Sequence, residues 1–169
     1  MDLFNTASAS FDEPVSMLLA CHDKVKRFCR QLNALPAHVA AHGMDAAAQQ
    51  AVVQIRRYFN QAAPLHHLDE EADFFPLLRQ YCPEAAADLD FLQAQHDVLH
   101  QTWAKLDAHL QALASGSLNI VDADLIARYT GLYAQHTAIE EPWFARGQAA
   151  IDAEKMAAIG KNMAARRKV

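Results

Sequence analysis

The stretch His66-His67-Leu68-Asp69-Glu70-Glu71 decides the fold, and His136-Thr137-Ala138-Ile139-Glu140-Glu141 repeats its spacing. Each sets a carboxylate four residues after a histidine, inside a run of apolar residues at helical intervals. Four residues are roughly one helical turn, so each histidine and its glutamate project to the same side. Facing inward, two imidazoles and two carboxylates converge in a dry core. Polar groups without partners are costly there, and a bound metal is the usual compensation.

Around these segments the chain is composed for helices. It is 52% apolar and 21% charged, with only 5 glycines and 6 prolines and abundant alanine. Its 169 residues suffice for one domain with a sizeable core, so residues 1–169 read as a single domain. After a leading arm over residues 1–12, Pro14 opens a helix that runs to about Leu35, with Leu18, His22, Val25, Cys29 and Leu32 on its stripe. Pro36 is expected to stop it and leave His38 and His42 in a loop. The second helix starts near Asp45 and carries Val52, Ile55 and Phe59. Pro64 should kink or break it, and the pattern resumes at Leu65 and reaches Tyr81. His66, Glu70, Phe74 and Leu77 share a face there, with a distortion expected near Pro76.

Pro83 opens the third helix, whose inner stripe is Leu89, Leu92, His96, Leu99, His100, Trp103, Leu106, Leu110 and Leu113. Asp122 caps the fourth, which carries Tyr129, Tyr133, His136 and Glu140 and is expected to fray at Pro142 and Gly147. A last helix spans about Ala153 to Arg166. Short connections between long helices imply antiparallel neighbours. The fold class is therefore all-α: an up-down-up-down antiparallel four-helix bundle, core about residues 14–146, with a short C-terminal fifth helix at about 153–166.

The net charge of -5 argues against a nucleic-acid partner. Lys161 and Arg166-Arg167-Lys168 read as favourable charge at the end of the last helix. Cys21, Cys29 and Cys82 follow no metal or redox spacing and read as free thiols in a reducing cytosol. The start Met1-Asp2-Leu3-Phe4-Asn5-Thr6 lacks the basic and apolar parts of a signal peptide, and no apolar run reaches the ~18 residues of a membrane span. A cytoplasmic protein with no membrane partner is expected.

The nine histidines sort by face. His22, His66, His96, His100 and His136 sit on apolar stripes, His38 and His42 in the expected loop, and His67 and His109 off the stripe. A lone inward histidine is ordinary packing; five from four helices, beside two buried glutamates, are not. The candidate ligands are His22, His66, Glu70, His96, His100, His136 and Glu140. A mixed imidazole and carboxylate shell suits iron, manganese or zinc, and seven candidates point to a dinuclear centre rather than a four-ligand zinc site. Glu71 and Glu141 read as solvated or salt-bridged neighbours. Tyr133 and Tyr129 either hydrogen-bond a ligand or pack in the core, Cys21 faces elsewhere as a small apolar residue, and Trp103 and Trp143 belong to the core or a pocket wall.

This ordered set resembles the hemerythrin family, in particular the bacterial hemerythrin-like (HHE cation-binding) domains. The resemblance covers about residues 14–146, and Glu70-Glu71-Ala72-Asp73-Phe74-Phe75-Pro76 fits the family's repeated element best. It implies two iron ions with an oxo or hydroxo bridge, bridged also by Glu70 and Glu140. His96, His100 and His136 would hold one ion, and His22 and His66 the other, which keeps an open position. In the animal oxygen carriers the last bridging carboxylate is an aspartate five residues after its histidine, where this chain has Glu141. Five residues turn a side chain by roughly 140° and four by only about 40°, which favours Glu140. Many bacterial relatives lack a histidine at the place of His100; its presence favours a five-histidine site, with support of a ligand as its alternative.

The resemblance implies two functions. The first is binding of dioxygen or another small diatomic ligand, for storage, delivery or sensing. It is preferred because no catalytic acid or base stands apart from the ligands. The second is an enzyme that reduces peroxide or oxygen, or acts on nitric oxide, in a stress response. Manganese or zinc could substitute for iron. A homodimer paired through an exposed helix face is one assembly open to the chain, and the sequence does not choose it over a monomer.

Overall fold

The computed structural model describes residues 9–168, so most of the expected leading arm lies outside the described residues. The described part holds no strand. Helix α1 spans Pro14–His42. The second rod is continuous over residues 46–81 but changes pitch: α2 Ala46–Arg57, a π turn Tyr58–Ala62, α3 Ala63–Asp69, a π turn Glu70–Phe74 and α4 Phe75–Tyr81. A 3-10 turn, Pro83–Ala85, leads into α5 Ala86–Ala114; α6 Ala123–Ala150 and α7 Ala153–Arg166 complete the chain.

Cross-helix partners give the topology. Asn33 meets Thr130 and Lys26 meets Glu141, so α1 and α6 run in opposite directions. Gln49 meets Ala114 and Arg79 meets Asp90, which sets the second rod antiparallel to α5. Asp88 meets Trp143 and Gln95 meets Gln135, which does the same for α5 and α6. The result is the expected bundle with a short C-terminal helix.

Prolines place the main departures from expectation. Pro36 lies inside α1, which continues to His42. An interior proline costs roughly 3 kcal/mol. Here the turn beyond it seats Val39 in the core, and Gly43 closes the helix at φ 66, its N–H donating to Val39. Left-handed backbone favours glycine. His38 and His42 are thus helical, and His38 pairs with Asp45 at 2.9 Å rather than lying in a loop. Likewise α6 runs through Pro142 and Gly147 instead of fraying, because Phe144 and Gly147 are buried beyond the proline.

Pro64 and Pro76 neither break nor end the second rod. Each comes just after a π turn, whose closing bond reaches back five residues, from the Ala63 N–H to Tyr58 and from the Phe75 N–H to Glu70. The wider turn spares the proline ring the carbonyl it would strike in an α-helix. It also shifts the buried face by one residue: Phe74 and Phe75 are both buried, and Leu78 takes the place expected of Leu77.

The core divides into two apolar clusters. One joins the second half of α1 and α5 to α2 and the start of α6, with Leu32, Val52, Ile55, Leu106 and Tyr129 at its heart. The other joins the start of α1 and α5 to α4, α7 and the end of α6. Helix α7 docks at that end: a side chain at Gly160 would sit 1.9 Å from the Phe11 carbonyl oxygen. The basic tail does more than cap this helix. Arg166 and Arg167 both bind buried Asp69, and Arg166 also reaches Asp73. Between the apolar clusters lies a buried polar layer, made by residues from α1, the second rod, α5 and α6.

Candidate metal centre

Four rods each turn part of this layer inward. His22 comes from α1, His66 and His67 from α3, Glu70 from the first residue of the second π turn, His96 from α5, and His136 and Glu140 from α6. All are buried, and Glu70, His96 and Glu140 are 0% exposed.

Each glutamate spans two histidines from different helices. Glu70 lies 2.8 Å from His66 Nε2 and 3.2 Å from His96 Nε2. Glu140 lies 3.0 Å from His22 Nε2 and 3.3 Å from His136 Nε2. Two overlapping clusters result, His22–His66–Glu70–Glu140 and Glu70–His96–His136–Glu140, and within each the ligating atoms all lie within 4.8 Å of one another. The two carboxylates are common to both. That arrangement can hold two cations side by side with shared acidic bridges.

The partners of the outer imidazole nitrogens suit a cluster that can hold cations. The His22 Nδ1–H donates to Glu141 at 3.1 Å, the His96 Nδ1–H to Glu71 at 2.6 Å, and the His136 Nδ1–H to the Gln95 carbonyl at 2.9 Å. The Gln95 amide in turn donates to Gln135, which fixes its orientation. A neutral imidazole that donates from Nδ1 carries a lone pair on Nε2. These lone pairs face carboxylate oxygens, and His96 Nε2 faces His136 Nε2 at 3.2 Å. His22 Nε2 and all four oxygens of Glu70 and Glu140 lack a hydrogen-bond partner of acceptable geometry. Leaving a buried charge uncompensated costs on the order of several kcal/mol. A metal accepts all of these lone pairs at once, and outer partners on Nδ1 are what orient metal-binding imidazoles.

Without metal, protons take that role. Burial alone would lower the pKa of His66, but the Glu70 carboxylate and the nearby Cys21 thiol outweigh it and hold it well above the usual imidazole range. His96 is raised in the same way by Glu70, Glu71 and Glu140 against the effect of burial. Burial would raise Glu70, yet His66 and His96 hold it well below the usual carboxylate range. His67 moves the other way: burial and then the His96 charge push it well down. At the rim, burial pushes Glu141 up, but its bonds to Lys26 and His22 bring it below the ordinary range.

Six of the seven residues singled out in the sequence come together here: His22, His66, Glu70, His96, His136 and Glu140. His100 does not; its side chain is exposed, with its Nε2 2.9 Å from His67 Nδ1. Glu140 turns inward while Glu141 turns to His22 and Lys26. Glu71 and Glu141 are half-buried braces for His96 and His22. Tyr133 is buried, and its hydroxyl contacts His67 Nε2 at 3.3 Å. Cys21 is a half-buried free thiol, and Trp103 lies in the core.

His67, expected off the stripe, is buried and stacks on His96 with ring centroids 3.9 Å apart. The spacing carries a signal for it. His67 comes four residues after Ala63 and three before Glu70, which keeps it on a broad buried stripe with both.

The comparisons agree with this geometry. The family model described as the hemerythrin HHE cation-binding domain matches residues 13–146, which carry every residue of the cluster. The chain is also 46% identical over 161 residues to an uncharacterised protein of Haemophilus influenzae, a match covering 95% of this chain and 94% of that one. A match over most of the chain that takes in both histidine–glutamate segments places the protein in the hemerythrin HHE cation-binding family.

Proposed function

We propose that this chain is a cytoplasmic non-haem di-iron protein that binds dioxygen or a related diatomic ligand at an open iron position. One observation carries the reading: buried Nε2 lone pairs and two shared carboxylates face one another, while partners outside the cluster occupy Nδ1 of His22, His96 and His136. Iron would supply a redox-active centre with coordination positions beyond those the protein fills. The chain's own residues do the rest. Glu70 and Glu140 hold the two halves together, and the apolar clusters on either side exclude water. Glu71, Gln95 and Glu141 fix the imidazole planes.

Metal analysis of protein from iron-replete cells comes first: two irons per chain are expected, and manganese or zinc in their place would reassign the metal. Stopped-flow mixing of the reduced, iron-loaded protein with oxygen then tests the ligand. A charge-transfer band that disappears on degassing is the expected result, and immediate irreversible autoxidation sinks the binding reading. The enzymatic alternative draws on Glu141, which links His22 to Lys26 at the protein surface and could pass protons. Peroxide consumption by the loaded protein, compared with an equal amount of free iron, decides it.

A further inference from the structure

We propose that a groove between α1 and the second rod binds a small phosphate-bearing anion, held by Lys24, Arg27 and Arg57. The groove is separate from the metal centre, and neither site depends on the other.

Charge along this chain is segregated. Residues 24–68 carry Lys24, Lys26, Arg27, Arg30, Arg56 and Arg57 against a single acid, Asp45, although the whole chain has a net charge of -5. A local excess of one sign, set against the overall balance, points to a partner of the opposite sign. The fold answers two of these cations from other helices: Glu141 pairs with Lys26 and Asp107 with Arg56. Asp45 is taken by His38. Lys24, Arg27 and Arg57 have no ion-pair partner among the described residues. All three line one groove of about 520 Å³, and no acidic residue stands in its walls.

Helical spacing builds the walls. Lys24, Arg27 and Phe28 fall at intervals of three and four on α1, and Gln54, Arg57 and Tyr58 do the same on the second rod. Bases therefore stand on both sides of the groove, and its other polar groups include the side-chain amides of Gln54 and Gln61. The walls are held by their own contacts. The Tyr58 hydroxyl donates to the Cys21 carbonyl at 3.0 Å, and its ring packs 4.9 Å from that of Phe28. The Arg27 guanidinium lies over the Phe28 ring at 4.9 Å. Stacking of that kind leaves the N–H groups at the guanidinium edge free to donate. Two guanidiniums, an ammonium and two amides offer donors, and a phosphate group is an array of acceptors. The volume falls in the range of small-molecule sites, about 300–1,000 Å³. That favours a compact anion over an extended strand or a flat membrane surface.

The test is equilibrium dialysis of the full chain, as purified with its metal, against inorganic pyrophosphate and separately against adenosine triphosphate at low salt. Metal content is measured before and after. Wild type should bind one anion per chain. Arg27→Gln and Arg57→Gln should each weaken binding about tenfold, the loss of one charge-assisted donor group. Lys105→Gln removes an exposed charge outside the groove and should change binding by less than about twofold. All three positions are exposed, so the variants should fold as wild type does. Equal affinity for the two anions would mean that the phosphate groups suffice, and tighter adenosine triphosphate that the base adds contact; both support the proposal. Binding that is unchanged when Arg27→Gln and Arg57→Gln are combined overturns it, because the anion would then sit elsewhere, the metal centre included. Uptake of neither anion overturns it too. Single-stranded RNA, or vesicles of equimolar phosphatidylserine and phosphatidylcholine, binding in their place would assign this face to a macromolecule.

Discussion

Residues 66–71 and 136–141 have the same spacing and two different environments. In both, the histidine and the glutamate four residues later turn inward, and the next glutamate braces a histidine on another helix: Glu71 holds His96 and Glu141 holds His22. The positions between them diverge. His67 enters the cluster, while its counterpart Thr137 is buried but donates to the Tyr133 carbonyl of its own helix. Asp69 is clamped by two arginines, while Ile139 only packs against the apolar cluster. The first segment follows one π turn and ends inside another, and the second lies in regular helix. The shared carboxylates and the braced histidines therefore arise from the shared spacing, and the different surroundings from the residues that differ.

Removing a bridge should break the shared part most completely. Glu140→Ala and Glu70→Ala should each lose both metal ions, because each carboxylate belongs to both clusters. His66→Ala should lose mainly the ion that it shares with His22. Metal binding is coupled to folding, and a ligand at about a thousand times its Kd stabilises by roughly 4 kcal/mol. The melting temperature of both glutamate variants in excess metal should therefore fall to that of the metal-free protein. Two ions retained by Glu140→Ala would mean that the carboxylates do not bridge.

The braces come next. Glu71→Gln should weaken metal binding by about 10- to 100-fold, the range found for outer partners of metal-binding histidines. Glu141→Gln should cost less, because Glu141 shares its oxygen with Lys26 near the surface. Equal losses, measured by competition with a chelator, would show that the two braces act alike.

Much of this is legible in the sequence, and the misses have physical causes. Periodicity places His22, His66, Glu70, His96, His136 and Glu140 inward because strict helical spacing holds over each of their turns. It fails at Pro36 and Pro142, where burial beyond the proline outweighs the broken hydrogen bond, and at Pro64, where the preceding π turn makes room for the ring. It fails at Leu77, because a π turn adds a residue and rotates the helix beyond it. For His67 and His100 the error is one of stripe width. A bundle helix buries a band wide enough for residues 63, 66, 67 and 70, and the band on α5 drifts away from residue 100.

The pH dependence should reverse with metal. In the metal-free chain His66 and His96 are raised, so their stabilisation is full below the unfolded imidazole pKa of about 6.5 and is lost as pH rises through their folded values. Glu70 is lowered, so its stabilisation is present above the unfolded carboxylate value and is lost as pH falls through its folded one. His67 is lowered, so its stabilisation is present above about 6.5 and lost as pH falls. The metal-free protein should therefore lose the His66 and His96 contribution towards pH 8 and the His67 and Glu70 contributions in acid. The loaded protein should gain towards pH 8, because metal displaces those protons. Parallel melting curves with and without metal would sink the view that the two compete for the same nitrogens.

The smallest effect should appear where the segments differ away from the metal. Asp69 is 1% exposed at its side chain and sits between Arg166 and Arg167, each about one-fifth to one-quarter exposed. Arg167→Ala should cost only about 1 kcal/mol, because Arg166 still neutralises the carboxylate and solvent already screens part of the pair. Arg166→Ala with Arg167→Ala should cost more than the sum of the singles, since a buried carboxylate stripped of its partners costs about 3–5 kcal/mol. Asp69→Asn in that double background should recover part of the loss by removing the charge. Metal content should stay unchanged throughout, because Asp69 points to α7 while its neighbour Glu70 points to the centre. If metal were lost with the arginines, the docking of α7 would be holding the π turn, and Glu70 with it, in place.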